Sequence, residues 1–129
     1  MNDLVSICIP CYNQGQFLRE ALDSALNQTY PNIQIVCVND GSTDETLDIL
    51  KEYASKHNII KVIDNGENKG AIYSKNTAVQ NSDGKYILPL DSDDALEPEY
   101  VEKAVKVFEQ NPDISIVYCK RKVIGNTDN

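Results

Sequence analysis

Short apolar runs alternate with amphipathic stretches along most of this chain. Leu4–Ile9 reads as a strand ended by Pro10. In Gln16–Asn27, Phe17, Leu18, Ala21, Leu22, Ala25 and Leu26 recur at helical spacing and predict one buried face. Tyr30-Pro31-Asn32 breaks the chain before Ile33–Val38, which is apolar apart from Gln34. Ser42-Thr43-Asp44-Glu45 has the form of a capping box, in which serine and glutamate side chains serve each other's amides. It predicts a helix that runs to about Lys56.

The second half repeats the theme. Ile59–Ile63 reads as a short strand, Gly70–Asn81 as a helix stopped near Asp83-Gly84, and Tyr86–Leu90 as the next strand. Pro98 suits a helix start, since its missing N–H is not needed there. Val101, Ala104, Val105 and Phe108 give that helix a buried face, and Asn111-Pro112 ends it. Ile114–Tyr118 reads as a last strand, and the polar tail Ile124–Asn129 is expected to fray.

The predicted order is β-α-β-α-β-α-β-α-β. Strands that are continuously apolar, rather than alternating, are buried on both faces. The expected fold class is therefore α/β: a mostly parallel central sheet between helical layers, in one domain over residues 1–129.

Composition narrows the function. The 129 residues are 41% hydrophobic and 25% charged, which suits a soluble domain with its own core. The net charge of −8 disfavours nucleic acid and anionic lipid as partners, because both are polyanions. No run approaches the roughly 20 apolar residues that span a bilayer, and Met1-Asn2-Asp3 lacks the basic start of a signal peptide. The expectation is a cytoplasmic protein, at most peripheral at the inner face of a membrane, with reduced cysteines.

In open α/β sheets, ligands bind beyond the carboxyl ends of the strands. Three polar segments fall there: Pro10-Cys11-Tyr12-Asn13, Asn39-Asp40-Gly41-Ser42 and Asp91-Ser92-Asp93-Asp94. The last carries three carboxylates within four residues, whose mutual repulsion calls for a counter-charge. Mg²⁺ or Mn²⁺, which prefer oxygen ligands and often bridge carboxylates to phosphates, is the natural one. The bland alternative is a solvated acidic loop. Asp40 can accept a hydrogen bond from a base imide or a ribose hydroxyl, although Asp-Gly is also ordinary turn chemistry. Tyr12 can stack on a base or simply pack.

Other chemistries fit less well. Cys8 and Cys11 form a Cys-x-x-Cys, but Cys8 lies inside a strand rather than at a helix N-terminus. With Cys37 and Cys119 also in or beside strands, all four read as buried thiols. His57, the one histidine, sits near a helix end and reads as structural. No Gly-x-Gly-x-x-Gly and no P-loop occurs.

Five segments, in this order, resemble family 2 glycosyltransferases. Val5–Asn13 is similar to their opening strand, and Leu22–Tyr30 to the next helix and turn. Val38–Asp44 resembles their uridine-contacting loop, and Asn68-Lys69-Gly70 with Lys75-Asn76 a segment that usually reads Gly, then Arg-Asn. Leu90–Asp94 looks like their Asp-x-Asp motif, so the likeness runs from residue 4 to about 119.

The resemblance implies a GT-A fold, a Rossmann-like three-layer sandwich binding a nucleotide-diphosphate sugar at its strand ends, with a UDP-sugar favoured. Pro10, Tyr12, Asn13 and Asp40 would hold the nucleotide, with Lys75 and Ser92 beside it. Asp91 would face the ribose or donor sugar and share with Asp93 a divalent cation on the diphosphate. The reaction implied is inverting, metal-assisted transfer to a glycan or lipid-linked acceptor. Lys75 stands where the family usually has arginine, keeping the charge and losing the bidentate fork.

Family catalytic domains are longer, and neither Asp113 nor Asp128 is placed to be the general base. The expectation is a donor-binding half truncated before its acceptor-binding half. Other readings are a non-catalytic donor-binding or assembly domain and, less well supported, a nucleotidyltransferase. The latter usually carries a Gly-rich basic loop after the first strand, where this chain reads Tyr12-Asn13-Gln14-Gly15-Gln16. A phosphoacceptor receiver would need an acidic pair at the same place.

Overall fold

The continuous apolar runs become buried parallel strands. The computed structural model describes residues 3–110 together with residues 122–123. Strand β1, Val5–Cys11, lies between β2, Ile33–Asn39, and β4, Tyr86–Pro89. Strand β3, Ile60–Asp64, forms one edge, and β5, Lys122–Val123, the other. The order is β3-β2-β1-β4-β5, and every pairing among these strands is parallel.

Three helices cover one face: α1, Gly15–Leu26; α2, Thr46–Lys56; and α4, Tyr100–Gln110. Leu18 and Leu22 of α1, Ile49 and Leu50 of α2, and Val101 and Val105 of α4 pack on Ile7, Ile9, Ile35 and Leu88. Burying side chains of this size contributes about 1.5–3 kcal/mol each. Helix α3, Ala71–Gln80, covers the other face, packing Ala78 on Cys8, Val36, Val38 and Ile87. Its buried residues, Ser74 and Ala78, are small and lie one turn apart, which brings the helix close to the sheet. The result is the expected three-layer α/β architecture.

Several boundaries differ from the sequence reading for identifiable reasons. Pro10 does not end β1. The amide of Leu90 donates to Cys8 O, and the amides of Lys85 and Tyr86 donate to Leu4 O, so even-numbered residues of β1 turn their backbone toward β4. The last β1–β4 pair is Cys8↔Pro89, so Pro10 lies beyond it and its missing donor costs nothing. Ser42 and Glu45 form no capping box. Helix α2 starts at Thr46, whose amide donates to Asp44 Oδ1, while Ser42 Oγ accepts from the Asn13 amide. Phe17 is 44% exposed, because it lies about 100° round α1 from Leu18. Helix α4 begins two residues after Pro98.

The expected strand Ile114–Tyr118, the helix stop at Asn111-Pro112, Cys119 and the tail from Ile124 lie outside the described residues. Among the described residues, no helix is long and apolar enough to cross a membrane.

Candidate functional site

The strand order runs outward in opposite directions from β1 and β4, so the crossovers diverge there and leave a crevice at the carboxyl ends. A cleft of about 460 Å³ opens at that point. Pro10, Cys11 and Tyr12 line it from the end of β1, and Asp40 from the end of β2. Lys75 reaches it from α3, and Asp91, Ser92 and Asp93 line it from beyond β4. The structure thus brings together the three segments singled out in the sequence. Of the expected site residues, Asn13 alone does not line the cleft.

Tyr12 is 46% exposed at this cleft, so its ring has a free surface there. Asp91, Asp93 and Asp94 are exposed, and each offers a carboxylate oxygen within 4.8 Å of the others. A backbone bond from the Asp94 amide to Asp91 O forms the turn that gathers them. This all-oxygen, doubly or triply anionic donor set fits a hard divalent cation such as Mg²⁺ or Mn²⁺. Ser92, between them, is buried.

Asp40 is different in kind, only 4% exposed and already hydrogen-bonded. Its Oδ1 accepts from the Lys69 amide at 2.6 Å and from Asn65 Nδ2 at 3.0 Å, and its Oδ2 accepts from the Gly70 amide at 3.1 Å. Burial pushes the carboxyl pKa up, but the bonds from Lys69, Asn65, Gly70 and Ser74 outweigh it and hold it below the ordinary value. Asp40 therefore ties the segment entering α3 to the end of β2. Gly41 makes the same junction possible: φ is +72°, and a Cβ there would lie 2.4 Å from the Asn68 nitrogen.

Asn13 faces away from the cleft toward the loop between β2 and α2. Its Oδ1 accepts from the Thr43 amide at 2.7 Å and more weakly from the Asp44 amide at 3.3 Å. Asp44 answers across the same gap, its Oδ2 accepting from the Gly15 amide at 3.0 Å.

The three cysteines among the described residues bear out the reading as buried thiols. Cys8, Cys11 and Cys37 are buried. Cys8 packs in the α3-side cluster and Cys11 in the opposite one, so the Cys-x-x-Cys straddles the sheet. Burial raises the Cys11 thiol to about 12 and that of Cys37 well above its usual value. His57 caps α2 and stacks on Tyr53 at 6.3 Å.

Sequence reasoning missed Gln14 and Ser74, which also line the cleft. Ser74 carries a faint signal, a polar residue one turn before Ala78 on the buried stripe of α3. Its Oγ accepts from Asn65 Nδ2 at 3.1 Å. Gln14 carries none.

The model of "Glycosyl transferase family 2" matches residues 6–129. Chondroitin synthase of Escherichia coli is 40% identical over 98% of this chain and 18% of its own length. The Staphylococcus aureus TarS 1–349 structure in complex with UDP-GlcNAc superposes with a TM-score of 0.77. It shares 32% identity and covers 84% of this chain and 32% of that one. The mannosyltransferase PcManGT from Pyrobaculum calidifontis, in complex with GDP-Man and Mn²⁺, has a TM-score of 0.75 at 27% identity. That match covers 81% of this chain and 32% of that one. The chain spans 17% to 38% of the length of the first curated relatives it matches.

Proposed function

The chain belongs to glycosyl transferase family 2, and from that premise we propose that its cleft holds the nucleoside diphosphate of a nucleotide-sugar donor during inverting sugar transfer. One observation carries the proposal. An exposed tyrosine, a lysine and two of three clustered carboxylates, Asp91 and Asp93, face one cleft at the point where the sheet order reverses.

The division of labour follows from chemistry. Tyr12 offers a flat apolar face to the base, beside Pro10. Lys75 offers a point charge to the phosphates. Asp40, whose carboxylate already accepts from Lys69, Asn65, Gly70 and Ser74, holds the loop that frames the cleft around the nucleoside. Asp93 and Asp91 hold a divalent cation, with Asp94 close by and Ser92 between them. A bound cation supplies positive charge to the diphosphate as it leaves with the glycosidic bonding electrons. A UDP-sugar is the favoured donor. The UDP-GlcNAc-bound neighbour shares 32% identity with this chain, against 27% for the GDP-Man-bound one.

Thermal denaturation tests this reading. A ligand at a hundred times its Kd stabilises the folded state by about 2.7 kcal/mol, roughly 8–10 °C for a domain of this size. UDP with Mn²⁺ should produce a shift of that order, and UDP with EDTA a much smaller one. No shift with UDP or GDP in the presence of Mn²⁺ would overturn the proposal.

A further inference from the structure

We infer that Asn13 is a positioning residue that sets Tyr12 as a platform for the nucleoside, through a clasp between two loops. The inference rests on the nucleotide reading of the cleft. It assigns Asn13 a role without ligand contact, in keeping with its absence from the cleft lining.

Asn13 is exposed, yet its polar groups turn inward. Its φ is 51°, making it the one non-glycine residue of positive φ among the described residues. Asparagine tolerates that left-handed conformation better than most side chains. The conformation aims both the Asn13 amide and its side chain at the loop between β2 and α2. The amide donates to Ser42 Oγ at 3.0 Å, and Oδ1 accepts from Thr43 N–H at 2.7 Å and from Asp44 N–H at 3.3 Å. The next two residues continue the seam: the Gln14 amide donates to Thr46 Oγ1, and the Gly15 amide to Asp44 Oδ2.

Three successive residues after Tyr12 are therefore fixed to the β2–α2 loop and the first residue of α2, and Tyr12 itself leaves the end of β1 through Cys11, whose carbonyl accepts from Asp40 N–H. Tyr12 is held on both sides while its ring stays half exposed at the cleft. An exposed ring on a free loop would sample many directions. Fixing it beforehand removes that ordering cost from ligand binding. The phosphate-facing groups, Lys75 and Asp91–Asp93, stand on other elements and do not depend on the clasp.

This separation gives the test. UDP, GDP and inorganic pyrophosphate are titrated with Mn²⁺ into the wild-type chain and into Asn13→Ala, Asn13→Gly and Asn13→Asp. The readout is the ratio of nucleoside diphosphate affinity to pyrophosphate affinity, which general damage or an added charge moves little. The ratio should fall about tenfold in Asn13→Ala and in Asn13→Gly, which keeps the left-handed backbone but loses the bridge. Asn13→Asp, whose carboxylate still accepts the Thr43 and Asp44 amides, should restore it to within about twofold. The double variant Tyr12→Ala/Asn13→Ala should show the ratio of Tyr12→Ala alone, because Asn13 acts through the ring.

Should the Asn13 variants fail to fold, Ser42→Ala removes one clasp bond only and should lower the ratio about threefold. An unchanged ratio in Asn13→Ala or Ser42→Ala overturns the inference, as does full recovery in Asn13→Gly or an additive double variant. A wild-type chain that binds neither UDP nor GDP overturns the nucleotide reading itself, and the inference with it.

Discussion

Two groups of aspartates stand at the same edge of the sheet and differ in what they already hold. Asp40 and Asp44, in the loop after β2, accept hydrogen bonds from backbone amides of other segments. Asp91, Asp93 and Asp94, after β4, are exposed and crowd one another within 4.8 Å. The first group spends its charge inside the fold, organising the loops around the cleft. The second leaves its charge open to solvent, as the proposed cation site requires. Sequence position cannot separate the two, since both follow apolar strands. Their hydrogen bonds can.

The comparison is broken most severely at Asp40. Asp40→Ala takes the acceptor of the Lys69 amide and one of two acceptors each from the Gly70 amide and Asn65 Nδ2, and should cost roughly 3 kcal/mol of stability at neutral pH. Asp93→Ala, by contrast, should change stability by less than about 0.5 kcal/mol. Urea denaturation of the two variants side by side measures the difference. Similar losses from both would erase the distinction.

Acid should read the same contrast. The folded-state pKa values of Asp40 and Asp44 lie below their ordinary ones. In each case burial opposes the shift and hydrogen bonds, chiefly from Lys69 for Asp40 and from Thr46 for Asp44, prevail. A carboxyl with a depressed folded pKa contributes stability that is fully present above its unfolded value near ~3.9 and is lost as pH falls through the folded one. Asp40→Asn should therefore flatten the loss of stability below about pH 4. A slope identical to wild type would contradict the assignment.

Smaller effects sharpen the picture. Asp44→Ala removes the acceptor for the first amide of α2 and one bond to Gly15, and should cost about 1 kcal/mol, typical of a lost helix cap. Asp94→Asn relieves repulsion in the exposed group and should raise stability by a few tenths of a kcal/mol, about the size of an exposed charge interaction. Added Mn²⁺ should cancel that gain, because it stabilises wild type more than the variant.

Much of this arrangement was legible in the sequence. Element order, the parallel sheet and the three polar strand ends follow from apolar runs and their punctuation, because those signals are local. The fate of each polar side chain is not local. The amides of Lys69 and Gly70, 29 and 30 residues further on, meet Asp40 only once β2 and β3 have paired, so a turn-like Asp-Gly conceals an anchor. Ser42 and Glu45 match a capping pattern, but Asp44 takes the helix amide first and Ser42 serves the next loop. Pro10 looks like a strand stop until the shorter partner strand is seen beside it. Asp91 and Asp93, exposed side chains of the cleft, are the candidate residues most directly legible in the sequence.

The most direct measurement is a calorimetric titration of UDP with Mn²⁺, with EDTA, and with Mn²⁺ into Asp93→Ala. A nucleoside diphosphate held through a cation on the exposed aspartates predicts binding in the first case. It predicts a loss of about a hundredfold or more in the other two, the scale of a removed metal contact. Equal affinity in all three would contradict it.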